Sequence, residues 1–325
     1  MKAVTYEGYG DASVLRLSNL KKPIPGKHEV LVKIHATSVT AEDPKMRAFN
    51  HPPALKIPIG LLFGFKKPKN PVLGMEFSGL VERVGDGVVK YKVGDRVFGY
   101  TGLSFGAYAQ YKCLPEKALM SSAPENLSFT QAAVMVNGPL SALVYLKKAK
   151  IKMGDDVLIY GASGSVGTAA VQLAKYFGAK VTGVCSTRNL EVVRSIGADH
   201  VIDYTCQDFL KGNKKYDIIF DTVGKTSMKD CMSRIEPNGK YLITDFGLSH
   251  VLTALYTSFL KRKKVIVASS NFHWKQEDLA LFKHMAEQGR YLPVIDKTFT
   301  LETIADAHKY VESGRKVGNV AVRVD

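Results

Sequence analysis

The run Val157-Leu158-Ile159-Tyr160-Gly161-Ala162-Ser163-Gly164-Ser165-Val166-Gly167 constrains this chain more than any other segment. A short apolar strand runs into a glycine-rich turn, and residues 165–177 continue with helical spacing. The alternation then repeats. Strands are expected at 157–160, 180–185, 200–203, 217–221, 240–245 and 265–269. Helices are expected at 165–177, 189–196, 205–211, 226–234 and 248–260. Gly178 and Gly197 stand where helix C-caps belong. Repeated strand–helix units require a parallel sheet with right-handed crossovers, and six strands match a doubly wound sheet.

A strand, a glycine turn and a helix in that order match the dinucleotide fingerprint, and a tight strand–helix turn without ligand is the alternative. The turn reads Ala162-x-Gly164-x-x-Gly167, with alanine at the usual first glycine. Gly164 lets the backbone approach a pyrophosphate, and Gly167 lets the helix pack close to its strand. The helix N-terminus offers N–H groups and a favourable dipole to phosphate. Gly161, Ala162, Ser163, Gly164, Ser165, Val166 and Gly167 are therefore the expected cofactor turn. A carboxylate at the end of the second strand would bind the ribose hydroxyls of NAD. This strand instead ends Val184-Cys185-Ser186-Thr187-Arg188. Ser186, Thr187 and Arg188 supply donors and positive charge suited to a 2′-phosphate, so NADPH is the expected cofactor. Ser186 or Thr187 can also cap the next helix.

The first 124 residues read as β-rich, with a half-buried strand pattern over 28–39 and further strands at 78–84 and 94–98. Gly85-Asp86-Gly87 and Val93-Gly94-Asp95 are turns between them, which suggests a barrel or sandwich-like unit. The C-terminal part holds helices at 276–288 and 302–313, each followed by a strand, at 293–299 and 317–324. A length of 325 residues suits two domains. Cys113, Cys185, Cys206 and Cys231 show no CxxC spacing, which excludes a disulfide scaffold and a four-cysteine zinc lobe. The uncharged stretches 127–146 and 157–174 carry interrupting polar residues and suit buried soluble elements better than lipid. Met1–Glu7 has no apolar signal core, so a cytoplasmic location is expected. The net charge of +15 is spread along the chain, with clusters at 66–69, 147–152 and 261–264. It reads as a solvated basic surface; weak peripheral membrane or polyanion contact is the alternative, and no nucleic-acid module is recognisable.

Gly74-Met75-Glu76-Phe77-Ser78-Gly79, Val93-Gly94-Asp95-Arg96-Val97, Gly106-Ala107-Tyr108-Ala109, the nucleotide turn and Gly197-Ala198-Asp199-His200-Val201-Ile202-Asp203-Tyr204 together resemble the medium-chain dehydrogenase/reductase superfamily. Within it the chain is similar to the zinc-independent quinone oxidoreductases, the zeta-crystallin-like branch, over essentially its whole length. The resemblance implies an α/β protein with two domains. One is a split, GroES-like β-rich catalytic domain formed by 1–124 and 272–325, and the other an NADPH-binding Rossmann domain over 125–271. It implies Tyr204 beside the adenosine ribose or phosphate. Near the nicotinamide it implies Phe246, Gly247, Ser269, Ser270, Asn271 and Asn319. It also implies a homodimer through the sheet edge near Val265–Ser269.

Departures from that pattern bear on the chemistry. Zinc-dependent members hold their metal with Cys, His and a third Cys or Asp; those positions align with Thr40, Met75 and Asn137. A hydroxyl, a thioether and a neutral amide do not make a zinc site, so no metal is expected. Without a Lewis acid, alcohol–aldehyde interconversion is difficult, whereas quinones and α,β-unsaturated carbonyl compounds are already electrophilic. They accept hydride and place the charge on an oxygen that hydrogen bonds can stabilise. Thr40, Asp43 and Asn137 are the expected catalytic positions, with Lys45 nearby. Thr40-Ala41-Glu42-Asp43 also resembles a capping box. The branch usually has Asn at Thr40 and often a tyrosine near Met46; neither is present, so no proton donor is identified. Tyr100 and Tyr108 are possible hydroxyls and read more readily as core or rim. Residues 51–70, apolar at Leu61, Leu62, Phe63 and Phe65 and carrying three nearby lysines, read as a lid or rim, with membrane contact and a subunit interface as alternatives. An NADPH-binding structural or adaptor protein with little turnover is the alternative to a reductase.

Overall fold

The computed structural model describes residues 1–259, 263–268 and 274–324. The chain divides into two compact units, one of Met1–Asn137, Lys275–Glu287 and Ile295–Asp325, the other of Gly138–Trp274 and Gln288–Val294.

The second unit is built on a six-stranded parallel sheet. Its order runs His200–Asp203, Lys180–Cys185, Asp156–Tyr160, Tyr216–Asp221, Ile235–Ile243, Lys264–Val267. This is the doubly wound order, in which the chain moves outward from its first strand and then returns to that strand's other side. Val157, Leu158 and Ile159 are fully buried, as a strand paired on both sides and covered on both faces must be. Helices Ser165–Tyr176, Leu190–Ser195, Met228–Ser233 and Leu248–Ser258 form within the expected spans. The helix expected at 205–211 does not form. Asp203 accepts hydrogen bonds from the Thr205 N–H and hydroxyl at 2.9 and 2.7 Å, and Asp208 accepts from the Leu210 N–H at 2.9 Å. These local turns compete with the helical ladder.

The first unit holds a mixed sheet ordered Ile295–Thr300, Asn319–Arg323, Glu29–Ser38, Glu76–Val84, Arg96–Tyr100, Met120–Ser122. Tyr111–Pro115 pairs with the first half of Glu29–Ser38, and Asn319–Arg323 with its end. That strand is therefore flanked on both edges and is buried at seven of its ten positions, more than its alternating sequence suggests. Lys2–Thr5 and Arg16–Asn19 form a separate antiparallel pair. The edges Lys2–Thr5, Tyr111–Pro115 and Met120–Ser122 carry no alternation long enough to read from sequence. Residues Pro53–Phe63 form a helix with Pro58 inside it. Among the described residues no helix is long and apolar enough to cross a membrane.

Candidate active site

The turn after Asp156–Tyr160 lies at the carboxyl end of the sheet, where the strand order reverses. Gly161 has φ +79°, and a Cβ there would stand 2.3 Å from Val223 Cγ2 and 2.7 Å from Thr222 Oγ1. Only glycine suits that position. The Gly161 and Ala162 N–H groups both donate to Val184 O at 3.0 Å, which ties the turn to the neighbouring strand. Ser163 Oγ accepts from Asn189 Nδ2 at 2.9 Å. A Cβ on Gly167 would fall 2.1 Å from Gly161 O and 2.8 Å from Ala162 Cα, so helix and strand touch through their backbones. Gly164 differs: a Cβ there meets only Gly161 O, at 3.5 Å, so the space above it is open. A turn closed beneath Gly161 and Gly167 and open above Gly164 has room for a pyrophosphate against its backbone, so these residues fit a dinucleotide. Ser165 and the partly exposed Val166 begin the helix, with Gly138 packed on Ser165.

Ser186 is half-buried at the end of Lys180–Cys185, and Thr187 and Arg188 are exposed beyond it. Thr187 Oγ1 lies 3.0 Å from Thr205 Oγ1, and the Tyr204 N–H donates to Cys185 O at 3.1 Å. The exposed Tyr204 ring stands 6.3 Å from that of Tyr160. Phe246 packs on the core of this unit, and Gly247 caps Leu248–Ser258. Ser269, Ser270 and Asn271 lie outside the described residues. Sequence reasoning missed Asp221. Fully buried at a strand end, its carboxylate accepts from the N–H groups of Val223, Gly224 and Thr226 at 2.8–3.0 Å and from the Thr226 hydroxyl at 2.5 Å. It thereby shapes the loop that meets Gly161. The apolar run ending in Asp221 was the available signal.

In the other unit, Thr40 and Asp43 form one cluster. Asp43 Oδ2 accepts from the Thr40 N–H at 2.8 Å and the Thr40 hydroxyl at 2.6 Å. The capping reading holds in part: Asp43 reaches back to the Thr40 backbone, while the helix Glu42–Arg47 has Ala41 at its N-cap without a side-chain cap bond. Asp43 is fully buried, and burial raises its pKa to about 6 against the opposing hydrogen bonds from Thr40 and Tyr108. Its other oxygen, Oδ1, is buried with no partner at hydrogen-bond geometry. Lys45 forms an exposed ion pair with Glu42.

A second buried carboxyl, Glu76, had no role assigned from sequence. The Ser38 hydroxyl and the Asn137 N–H donate to its two oxygens. Burial pushes its pKa up to about 7. Asn137 thus joins Glu76 through its backbone, and its side chain is half-buried. Lys316 lies near Glu76 and Asp296; burial lowers its pKa to about 8, and its Nζ donates to Gly318 O at 2.7 Å. Asn319 is buried at the head of the next strand, where Val39 N–H donates to Val320 O at 3.0 Å. Met75 is buried, and its thioether accepts from the Tyr100 hydroxyl at 3.1 Å. Among the described residues no three His, Cys, Asp or Glu side chains are grouped to hold a metal.

Comparison with known proteins agrees with both halves of this geometry. Residues 26–125 match the alcohol dehydrogenase GroES-like domain family, and residues 196–322 match the zinc-binding dehydrogenase family. A 2-methylene-furan-3-one reductase of Solanum lycopersicum is 33% identical over 99% of this chain and 79% of its own length. An NADPH-dependent alkenal/one oxidoreductase, chloroplastic, of Arabidopsis thaliana is 30% identical over the same shares, 99% and 79%. The structure of the quinone oxidoreductase from Coxiella burnetii superposes with a TM-score of 0.86 at 28% identity, covering 100% of this chain and 99% of that one. With its GroES-like unit, its doubly wound nucleotide sheet and these relatives, the chain belongs to the medium-chain dehydrogenase/reductase superfamily, in its quinone oxidoreductase branch.

Proposed function

We propose that the protein is a zinc-independent, NADPH-dependent reductase of quinones or α,β-unsaturated carbonyl compounds. The observation that carries this reading is the donor set at the three positions where zinc-dependent relatives hold their metal. Thr40 is bonded to Asp43, the Met75 thioether to the Tyr100 hydroxyl, and the Asn137 backbone to Glu76. None of these three side chains is an anionic or imidazole ligand. Bound NADPH would supply the hydride. The residues then need only orient an electrophile, exclude water and hold the proton that completes reduction. Two relatives named for activated alkenes support this substrate class. Cofactor binding is assigned to the Gly138–Trp274 unit, and Thr40, Asp43 and Asn137 to the catalytic side. Turnover of a quinone or enone with NADPH, and none of a plain aldehyde, is the test.

Arg188→Ala tests the choice of cofactor. A charge-assisted hydrogen bond contributes about 1.5–3 kcal/mol, so the NADPH Kd should rise about 10- to 100-fold. The NADH Kd should stay within about twofold by titration calorimetry. Equal loss for both cofactors would remove the 2′-phosphate role.

The strand Lys264–Val267 is the last of its sheet and pairs on one side among the described residues. We read this edge as the homodimer contact. Light scattering should give twice the chain mass of 35.7 kDa. A single-chain mass at micromolar concentration would overturn it.

A further inference from the structure

A chain of buried polar groups leads from the surface to Asp43; of its members the sequence pointed only to Tyr108, as a possible hydroxyl. Arg47 is buried along its length. Its Nη2 donates to Glu312 Oε1 at 2.6 Å, its Nε to Gly10 O at 3.1 Å, and its Nη1 stands 3.2 Å from His308 Nδ1. His308 is fully buried, and its Nε2 is 3.2 Å from the Tyr108 hydroxyl. Tyr108 is fully buried too, and Gly74 clears its place: a Cβ on Gly74, which has φ +89°, would fall 2.4 Å from the Tyr108 ring.

Hydrogen-bond direction follows from donor chemistry. A guanidinium only donates, so His308 Nδ1 must accept from Arg47. Burial, and then the Arg47 charge, lower the His308 pKa to about 3 and keep the ring neutral. Its single hydrogen is therefore on Nε2 and is donated to the Tyr108 oxygen. That leaves the Tyr108 hydrogen for another acceptor. The unpartnered Asp43 Oδ1 is a buried acceptor on which Tyr108 acts.

We propose that Tyr108, oriented through His308 by Arg47, is a positioning residue of the active site. It donates to Asp43 Oδ1 and so holds the Asp43–Thr40 pair that delivers a proton to the reduced substrate. This inference rests on the reductase reading above. While Asp43 is ionised, the Thr40 hydrogen is held in the 2.6 Å bond to Oδ2. When Asp43 carries a proton, its hydroxyl donates to Thr40 Oγ, and the Thr40 hydrogen is free for the substrate. Thr40 gives that proton to the substrate anion left by hydride addition. Asp43 passes its own proton to Thr40 Oγ and becomes a carboxylate, and water restores it. The net change is one proton from solvent per hydride.

The other groups acting on Asp43 set where this occurs. Glu42 on its own helix raises its pKa, and Asp43 is in turn felt by Glu76, Tyr6 and Tyr100 from the surrounding strands and turn. Tyr108 works against burial by favouring the carboxylate. Removing its hydroxyl should therefore move the titration upward.

The test compares wild type, Tyr108→Phe, His308→Leu and His308→Gln. Nitrogen NMR of wild-type His308 should show a neutral Nε2–H ring from pH 5 to 8. An Nδ1–H ring or an imidazolium would overturn the proposal whether or not the protein turns over substrate. In enone reduction, kcat should fall as pH rises through Asp43 ionisation. Tyr108→Phe and His308→Leu should move that limb up by about one pH unit. His308→Gln, whose amide can accept from Arg47 and donate to Tyr108, should restore it. The NADPH KM should not change. An unmoved limb in Tyr108→Phe with an active wild type overturns the positioning role. An inactive wild type across quinones and enones overturns the reductase reading itself and is told apart by that control.

Discussion

Gly164→Ala should fold like the wild type and lose dinucleotide binding, whereas Gly167→Ala should strongly destabilise its unit. Both changes add one methyl group to the same turn, yet the surroundings differ. At Gly164 the added carbon meets only a carbonyl oxygen at 3.5 Å, and φ of −79° with ψ of 177° suits alanine. The structural cost is the poorer helix cap, about 1 kcal/mol or less. The new methyl occupies the space through which the backbone approaches pyrophosphate, so the NADPH Kd should rise about 100-fold or more. At Gly167 the added carbon would stand 2.1 Å from a backbone oxygen, and neither partner is a flexible side chain. Helix Ser165–Tyr176 must move off its strand, at a cost of about 3 kcal/mol or more. Urea unfolding followed by calorimetric titration with NADPH separates the two. Unimpaired NADPH binding by Gly164→Ala would remove the turn from the cofactor site.

The second large effect is a pH dependence of stability from Glu76. Burial raises its pKa from the ordinary 4.5 to about 7, so between those values the folded chain binds more protons than the unfolded one. The stabilising contribution is complete below about pH 4.5 and is lost as pH rises through about 7. A shift of that size corresponds to about 3 kcal/mol. Asp43 acts with the same sign over about pH 4 to 6, and His308, held neutral, acts with the opposite sign in acid. The wild-type curve therefore mixes several groups, and the comparison with Glu76→Gln isolates one. The stability of wild type minus that of Glu76→Gln should fall by about 3 kcal/mol from pH 4 to pH 8 in urea titrations. A constant difference would mean that Glu76 keeps an ordinary pKa in the folded protein.

The nucleotide half was legible because its signals are local. Each parallel strand is a short apolar run, each turn carries glycine, and Val157–Gly167 holds strand, turn and helix in eleven consecutive residues. The GroES-like half was less legible because its contacts are distant in sequence. His308 lies 261 residues from Arg47 and 200 from Tyr108, and no spacing rule joins them. Asp43 and Thr40, three residues apart, were found. Glu76 was quoted in a motif, but its role depends on burial, which only the fold reveals. One helix was missed and one was expected where none forms. No helix was assigned within 51–70, yet Pro53–Phe63 is one, with Pro52 and Pro53 at its start, where no hydrogen bond is lost. At 205–211 the apolar spacing suggested a helix, and the Asp203 and Asp208 side chains built turns instead.

The most direct measurement is NADPH consumption by purified, EDTA-treated protein with a quinone, an enone, an alkenal and a plain aldehyde, run beside NADH. Turnover of the quinone or the activated alkenes is expected with NADPH, little with NADH, and none of the plain aldehyde. Aldehyde turnover that appears only when zinc is restored would overturn the zinc-independent reading, because it would make Thr40, Met75 and Asn137 part of a metal-dependent site.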